Sequence, residues 1–373
     1  MKLALKLAGR GVGRVEPNPA VGCVIVKDGQ IIGRGRHKKF GGPHAEINGL
    51  EDCRSCGADP AGAVMYVSLE PCCHRGKTGA CTDAIISAGL AKVVVAAVDP
   101  SPHAGGKGIR QMRAAGIEVN TGVCEEEAKL LNAPFMKFAT TGRCWVVLKW
   151  AQSIDGKLAY ADGIKGQWIS NEKSRKDAHK LRRRVQAILV GVNTVIADDP
   201  LLTARPSGGK ATTRIVLDSK LRLPPDCKLL NTAKKSPVIV VTSQRAIRTN
   251  REAAEKIAAK GAELLAVAAK EGRCDIGFLL DELSKRGVAQ LLVEGGPTVI
   301  TSFLRQRLAD EICVYIAPKI LGGCGASDVS QSMVELTAGF GLHYVDIKRF
   351  GDDVRISGLI FRLKQNPPNK SGG

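Results

Sequence analysis

The segment His44-Ala45-Glu46, followed by Pro71-Cys72 and then Cys81, constrains this chain more than any other feature. One imidazole and two thiolates fill three positions around a zinc ion and leave the fourth to water. Zinc in such a set makes hydroxide available near neutral pH. Glu46 binds no metal in this scheme and is placed to carry a proton. His44, Cys72 and Cys81 are therefore read as ligands and Glu46 as the proton shuttle. A second reading stays open. Cys53-Arg54-Ser55-Cys56 offers a C-x-x-C, and Cys53, Cys56, Cys72 and Cys81 would suit a structural four-thiolate ribbon. That ribbon leaves His44-Ala45-Glu46 without a role. Cys73 reads as a free neighbour, because Pro71 marks Cys72 as the ligand.

The 373 residues are enough for two ordinary domains, each able to bury a core. Residues 1–141 read as one α/β domain, 142–365 as a second, and the Pro/Gly-rich 366–373 as a disordered tail. Asp28-Gly29 lies between two apolar runs and predicts a hairpin. His44 and Glu46 fall in the first turn of a helix. A strand, Ala63 to Leu69, delivers Cys72, and a helix opens at Cys81 and stops at Gly89. Two helix starts thus converge on the ligand set, where their dipoles favour thiolates. Glu125 to Ala139 reads as one helix leading to the linker Thr140-Thr141-Gly142-Arg143.

From Cys144 the pattern restarts. Strands at Cys144 to Ala151, Ala187 to Val190, Arg214 to Leu217, Val238 to Thr242, Leu264 to Ala266 and Gln290 to Val293 alternate with helices. That alternation predicts a mostly parallel sheet with helices on its faces. Tyr344 to Lys348 and Val354 to Arg362 read as closing antiparallel strands. Gly191-Val192-Asn193-Thr194, Asp218-Ser219 and Glu294-Gly295-Gly296-Pro297-Thr298 each end a strand, where open α/β sheets hold ligands and helix starts receive phosphates. There is no G-x-G-x-x-G here, so this is not a standard dinucleotide fingerprint. Lys149, Arg182 and Arg205 are candidates for phosphate groups.

Composition narrows the partners. The net charge of +19 is spread over both halves, with Arg182-Arg183-Arg184 the densest cluster, and no basic arm or tail. With only 4% aromatic residues to stack on bases, phosphate-bearing small ligands and general surface charge fit better than nucleic acid. No apolar run is long enough to span a bilayer, and no signal peptide or membrane association is expected. Twelve scattered cysteines in a chain of this size fit a metal site in a reducing cytoplasm better than disulfides.

The H-x-E … P-C … C arrangement is that of zinc-dependent base deaminases, and the match extends much further. Pro17-Asn18-Pro19, Gly42-Pro43-His44-Ala45-Glu46 and Leu69 through Cys81 recur in the first half. Lys149 through Lys157, Gln167-Trp168-Ile169, Asn193 through Arg205 and Val293 through Thr298 recur in the second. In this order they resemble the family of bifunctional riboflavin-biosynthesis proteins, a pyrimidine deaminase fused to a reductase. The resemblance implies a cytidine deaminase-like α/β/α domain, then a dihydrofolate reductase-like α/β domain with a mixed sheet.

It implies zinc, one per chain, and NADPH. It also implies hydrolytic deamination of a diaminopyrimidinone ribosylamine 5′-phosphate, then reduction of the ribosyl group to ribityl. A homo-oligomer is expected. Asn18, His74 and Lys77 fall at the deaminase substrate positions. Gly166, Arg182, Leu202, Arg205 and Glu294 fall at those of the reductase. Gln152, Trp168, Thr194, Asp198, Ser219 and the run Gly296, Pro297, Thr298, Val299, Ile300, Thr301 and Ser302 match cofactor positions. Asp198 is the candidate for managing the proton that accompanies hydride transfer. The chain departs from the family pattern at Gly79-Ala80 (usually Pro-Pro), Ser101 (often Asn) and Gly166 (commonly Ser). Relative to that pattern it begins inside the first helix, and a few N-terminal residues are expected to be missing.

Overall fold

The computed structural model describes residues 1–73, 79–101, 104–160, 168–204, 212–270, 272–322, 328, 333, 336 and 339–362. His74, Lys77, Gly166, Arg205 and the tail 366–373 lie outside the described residues. The chain divides into two units, Met1–Cys144 and the remainder from Trp145.

The first unit runs α1 (Lys2–Gly9), β1 (Gly22–Lys27), β2 (Gln30–Arg36), α2 (Ala45–Ser55), β3 (Val64–Leu69), α3 (Cys81–Ser87), β4 (Lys92–Ala97), α4 (Lys107–Ala114), β5 (Glu118–Thr121), α5 (Glu125–Leu131) and α6 (Ala133–Thr141). The sheet order is β2-β1-β3-β4-β5. The β1 pairings to β2 and β3 are antiparallel, and β3-β4-β5 is parallel. Asp28 and Gly29 both take positive φ, 51° and 75°, as a two-residue hairpin turn with the twist of its strands requires. Successive strand residues face opposite sides. A Cβ on Gly22 would sit 2.0 Å from the Ala4 carbonyl of α1, whereas Cys23 meets Gly49 of α2. Helices therefore cover both faces of the sheet. On the α2 side Ile25, Met65, Val67, Val93 and Val95 pack beneath Leu50, Ile85 and Met112. Each such side chain, fully buried, contributes roughly 1.5–3 kcal/mol.

The single helix expected over Glu125 to Ala139 is two helices. Pro134 has no N–H to continue α5 and instead starts α6. The Asn132 side chain at the break accepts from Ala20 N (2.8 Å) and donates to Ala20 O (3.0 Å).

The second unit runs β6 (Trp145–Ser153), α7 (Glu172–Arg184), β7 (Ala187–Gly191), α8 (Val192–Asp198), β8 (Thr213–Leu217), α9 (Lys228–Asn231), β9 (Val238–Ser243), α10 (Gln244–Thr249), α11 (Arg251–Ala259), β10 (Glu263–Val267), β11 (Ala269–Lys270), β12 (Arg273–Cys274), α12 (Ile276–Lys285), β13 (Gln290–Val293), α13 (Pro297–Arg305), β14 (Glu311–Ala317), β15 (Phe340–Phe350) and β16 (Asp353–Arg362). Its main sheet has the order β10-β9-β8-β7-β13-β6-β14-β16-β15. Strands from β10 to β14 are parallel, and β16 and β15 add antiparallel. This is the mixed sheet that the resemblance implied. The sequence reading passed over β14, which lies inside the sheet between β6 and β16. Asn171 accepts from Ser174 N at 3.0 Å and caps α7, whose last turn carries Arg182-Arg183-Arg184 where the helix dipole favours cations. Successive strands β6 and β7 flank β13, and the connections beyond them run to opposite sides. The C-terminal ends of these three strands therefore form the crevice where open α/β sheets bind ligands.

Among the described residues no helix is long and apolar enough to cross a membrane, and the described cysteines are free thiols.

Candidate active sites

In the first unit His44 is the N-cap of α2 and Cys81 the first residue of α3, while Cys72 follows β3. His44 Nδ1 lies 3.5 Å from Cys72 Sγ and 3.3 Å from Cys81 Sγ. Bonds of about 2.0 Å to nitrogen and 2.3 Å to sulfur put N and S about 3.6 Å apart on a zinc tetrahedron. The three atoms, all within 4.8 Å of one another, fit that geometry. Cys72, accepting from Cys81 and His44, is pulled down to about 4. Cys81 is pushed up by the hydrogen bond it gives Cys72 and by burial. A divalent cation bound by both sulfurs would let both ionise. The four-thiolate alternative is not assembled: the buried Cys53 Sγ donates to Ala58 O at 3.3 Å, and Cys56 is exposed.

Glu46 is 3% exposed, and burial, the largest influence, raises its carboxyl to about 7. It stands in the first turn of α2 beside the ligands, in contact with Cys81. Asn18 lies 3.4 Å from Nε2 of the buried His37. Nδ1 of His37 is 3.0 Å from the Pro43 carbonyl, so it carries the proton, and Nε2 is the acceptor for the Asn18 amide. The His37 ring stands edge-on to His44, with centroids 5.3 Å apart.

Sequence reasoning assigned no role to His37, Asn48 or Glu70. The Asn48 amide donates towards the carbonyls of Arg36, Pro43 and His44, each at 3.0 Å, and fixes the turn that presents His44. The Glu70 carboxylate accepts from the backbone N–H of Asp99 (3.1 Å), Gly106 (2.9 Å) and Ile109 (3.2 Å). A Cβ on Gly108 would come within 2.2 Å of the Pro71 carbonyl, so α4 lies directly on the segment leading into Cys72. A polar residue just ahead of a ligand was the only local signal for Glu70.

In the second unit Arg182, at the end of α7, meets Glu294, just past β13. The guanidinium donates from Nε to Oε1 (2.9 Å) and from Nη2 to Oε2 (2.6 Å). Nη1 reaches the Thr203 carbonyl at 3.2 Å. Burial alone would raise Glu294, but Arg182 and then Lys149 outweigh it and hold the carboxyl at about 2. Leu202 is buried, with a left-handed φ of 52°.

Of the residues expected at cofactor positions, Gln152, Thr194, Ser219 and Gly296 lie at or just past the C-terminal ends of parallel strands. Gly191 and Gly295 pack on Val299, with Cβ atoms that would fall 3.0 and 2.6 Å from its side chain. Only glycine at Gly295 lets the start of α13 approach β13 so closely. Gly296 opens on free space. Gly296, Pro297, Thr298 and Val299 are accessible, whereas Ile300, Thr301 and Ser302 are buried, so the segment offers a ligand its first turn. Thr194 and Asp198 lie on α8, the turn before which is shorter than the sequence suggested, because the helix begins at Val192. Asp198 is exposed, and partial desolvation raises its carboxyl. Gln152 accepts from Trp150 Nε1 at 2.7 Å. The exposed Trp168 has the Arg175 guanidinium over its ring at 5.2 Å. Ser219 Oγ is 3.4 Å from Cys274 Sγ.

Comparison with known proteins agrees with both halves. Residues 1–97 match the cytidine and deoxycytidylate deaminase zinc-binding region, and residues 144–356 match the RibD C-terminal domain. The riboflavin biosynthesis protein RibD of Aquifex aeolicus is 47% identical over 338 residues, covering 90% of this chain and 91% of that one. The Escherichia coli protein of the same name is 40% identical over 330 residues, covering 86% and 88%. A solved Thermotoga maritima structure, described as a diaminohydroxyphosphoribosylaminopyrimidine deaminase/5-amino-6-(5-phosphoribosylamino)uracil reductase, has a TM-score of 0.81 at 36% identity, covering 97% of each chain. RibD of Acinetobacter baumannii gives 0.80 at 36% identity, covering 96% and 97%.

Fold and sites thus define a two-domain enzyme, a zinc-type deaminase followed by a reductase. Its place within that class is specific: the chain belongs to the RibD family of riboflavin biosynthesis, and is bifunctional.

Proposed function

We propose that the first unit deaminates a diaminopyrimidinone ribosylamine 5′-phosphate to the corresponding aminouracil, and that the second reduces its ribosyl group to ribityl with NADPH. One observation carries this reading: His44, Cys72 and Cys81 converge within ligand distance beside a buried Glu46. One zinc per chain, held by those three residues, supplies the Lewis acidity that makes water nucleophilic near neutral pH. Glu46 takes a proton from the attacking water and returns one to the amino group as it leaves as ammonia. Burial has already raised this carboxyl towards neutrality, and a proton carrier works best when its pKa lies near the working pH. Asn18, whose amide lies beside His37, is the residue assigned to the pyrimidine edge. His74 and Lys77 complete the pocket in the family pattern.

In the second unit NADPH, when bound, is the hydride donor. Gly296 to Val299, Thr194 and Ser219, which follow the ends of parallel strands, are the residues assigned to hold it. Arg182 is assigned to the phosphate of the substrate and the ionised Glu294 to hydroxyls of its sugar, with Leu202, Gly166 and Arg205 in the family's remaining positions. Asp198 is the candidate for moving the accompanying proton. Zinc removal separates the two activities. Chelation should abolish ammonia release, zinc should restore it, and NADPH oxidation on pre-deaminated substrate should be unaffected. Full ammonia release from metal-free protein would overturn the reading.

A further inference from the structure

Helix α4 touches both segments that carry the thiolate ligands of the first unit. Its Gly108 lies against the Pro71 carbonyl, at the approach to Cys72. Gln111 stands three residues further on, and so on the same face of the helix. It reaches the first turn of α3, which begins at Cys81. The Gln111 amide nitrogen donates to Asp83 Oδ1 at 2.9 Å, and its Oε1 accepts from Thr82 Oγ1 at 2.9 Å. A carboxylate only accepts, so the amide turns its nitrogen to Asp83 and its oxygen to Thr82, whose hydroxyl must donate. Ile109 and Met112 of the same helix are buried in the core on the α2 side of the sheet, which holds α4 in place.

Thr82 is wholly buried and directly follows Cys81. Its backbone N–H donates to the Cys72 carbonyl at 3.2 Å, and its Oγ1 stands 3.4 Å from the same oxygen. The hydroxyl has one proton, and the shorter contact, to Gln111, takes it. The residue after one ligand is thus bonded to the residue that carries the other, and is itself held by α4.

Two thiolates with no metal between them repel each other. Their spacing must therefore come from the segments that carry them. Residues behind the ligands that fix such a spacing tune how firmly a metal is held.

We propose that Thr82 and Gln111 are positioning residues for the zinc: their hydrogen bond fixes Cys81 against Cys72 and slows the metal's escape. The proposal rests on the reading of His44, Cys72 and Cys81 as zinc ligands. Neither Thr82 nor Gln111 touches the metal or the substrate in this scheme.

Transfer of zinc from the full chain to a chromophoric chelator tests it, at chelator concentrations where the rate no longer depends on the chelator. Thr82→Val keeps the shape and loses the hydroxyl. Gln111→Met, at a half-buried side chain, removes the same bond from the other helix. Each should release zinc about threefold to tenfold faster than wild type, the worth of one neutral hydrogen bond. The double variant should be no faster than the faster single one, because both lose the same bond. Thr82→Ser loses a methyl group and keeps the hydroxyl. It should unfold at lower urea concentration yet release zinc within about twofold of the wild-type rate. Wild-type release from both Thr82→Val and Gln111→Met would overturn the proposal. So would a Thr82→Ser variant as fast as Thr82→Val, since packing rather than the bond would then hold the metal. If wild-type protein binds no zinc at all, the ligand reading itself fails and takes the proposal with it.

Discussion

Arg182 and Glu294 face each other through two parallel hydrogen bonds, 2.9 and 2.6 Å long, joining the end of α7 to the residue just past β13. Their side chains are only 16% and 8% exposed, so each charge depends on the other. Removing one member of such a pair costs about 3–5 kcal/mol, because the other is left buried alone. Glu294→Gln should therefore destabilise the second unit by that order and abolish NADPH oxidation, with ammonia release retained. All three tryptophans, Trp145, Trp150 and Trp168, lie in the second unit, so their fluorescence reports its unfolding separately.

The same pair predicts a pH dependence. Glu294 is held at about 2, below its ordinary 4.5, so it stays ionised when folded under conditions that protonate it when unfolded. The stabilisation, about 3 kcal/mol, is fully present above about pH 4.5 and is lost as the pH falls towards 2. The stability gap between wild type and Glu294→Gln should narrow over that window. A gap constant from pH 7 to pH 2.5 would contradict the assignment.

Cys72→Ser and Cys81→Ser should each lose zinc and ammonia release, while Cys73→Ser keeps both. Metal analysis of the purified variants checks this. A requirement for Cys53 and Cys56 would revive the four-thiolate ribbon.

Glu46→Gln keeps the shape of the side chain but cannot accept a proton. It should retain zinc and lose deamination by about 10²-fold or more. The reductase should still consume NADPH on pre-deaminated substrate. Near-normal ammonia release from this variant would remove Glu46 from the role.

Glu70→Ala removes the acceptor of three backbone N–H groups at the segment leading into Cys72. The Ile109 N–H among them is buried, and a buried donor left without a partner costs about 1–3 kcal/mol. Zinc should therefore dissociate faster to a competing chelator than from wild type. Unchanged release kinetics would show that Cys72 is positioned without Glu70.

The metal site was legible because its ligands are rare residue types at short spacings, each tied to the start of a helix or the end of a strand. The parallel strands of the second unit were legible for a similar reason: β7, β9 and β13 are mostly apolar runs, as strands buried on both faces tend to be. β14 was missed although Glu311 to Ala317 alternates, with Cys313, Tyr315 and Ala317 buried. Its place beside β6 is fixed by distant pairing rather than by local pattern. The break at Asn132 depends on a bond to Ala20, more than a hundred residues away. Thr82 and Gln111 lie 29 residues apart, and only the fold shows that they are bonded.

The central claim is that one chain carries two reactions in fixed order. Purified protein incubated with the diaminopyrimidinone substrate, with and without NADPH, tests it most directly when ammonia and NADPH are followed separately. Ammonia should appear in both incubations at similar rates, and NADPH should be consumed only after ammonia has begun to appear. Supplying the aminouracil directly should remove that lag. No ammonia from zinc-loaded protein, or NADPH consumption that precedes deamination, would contradict the account.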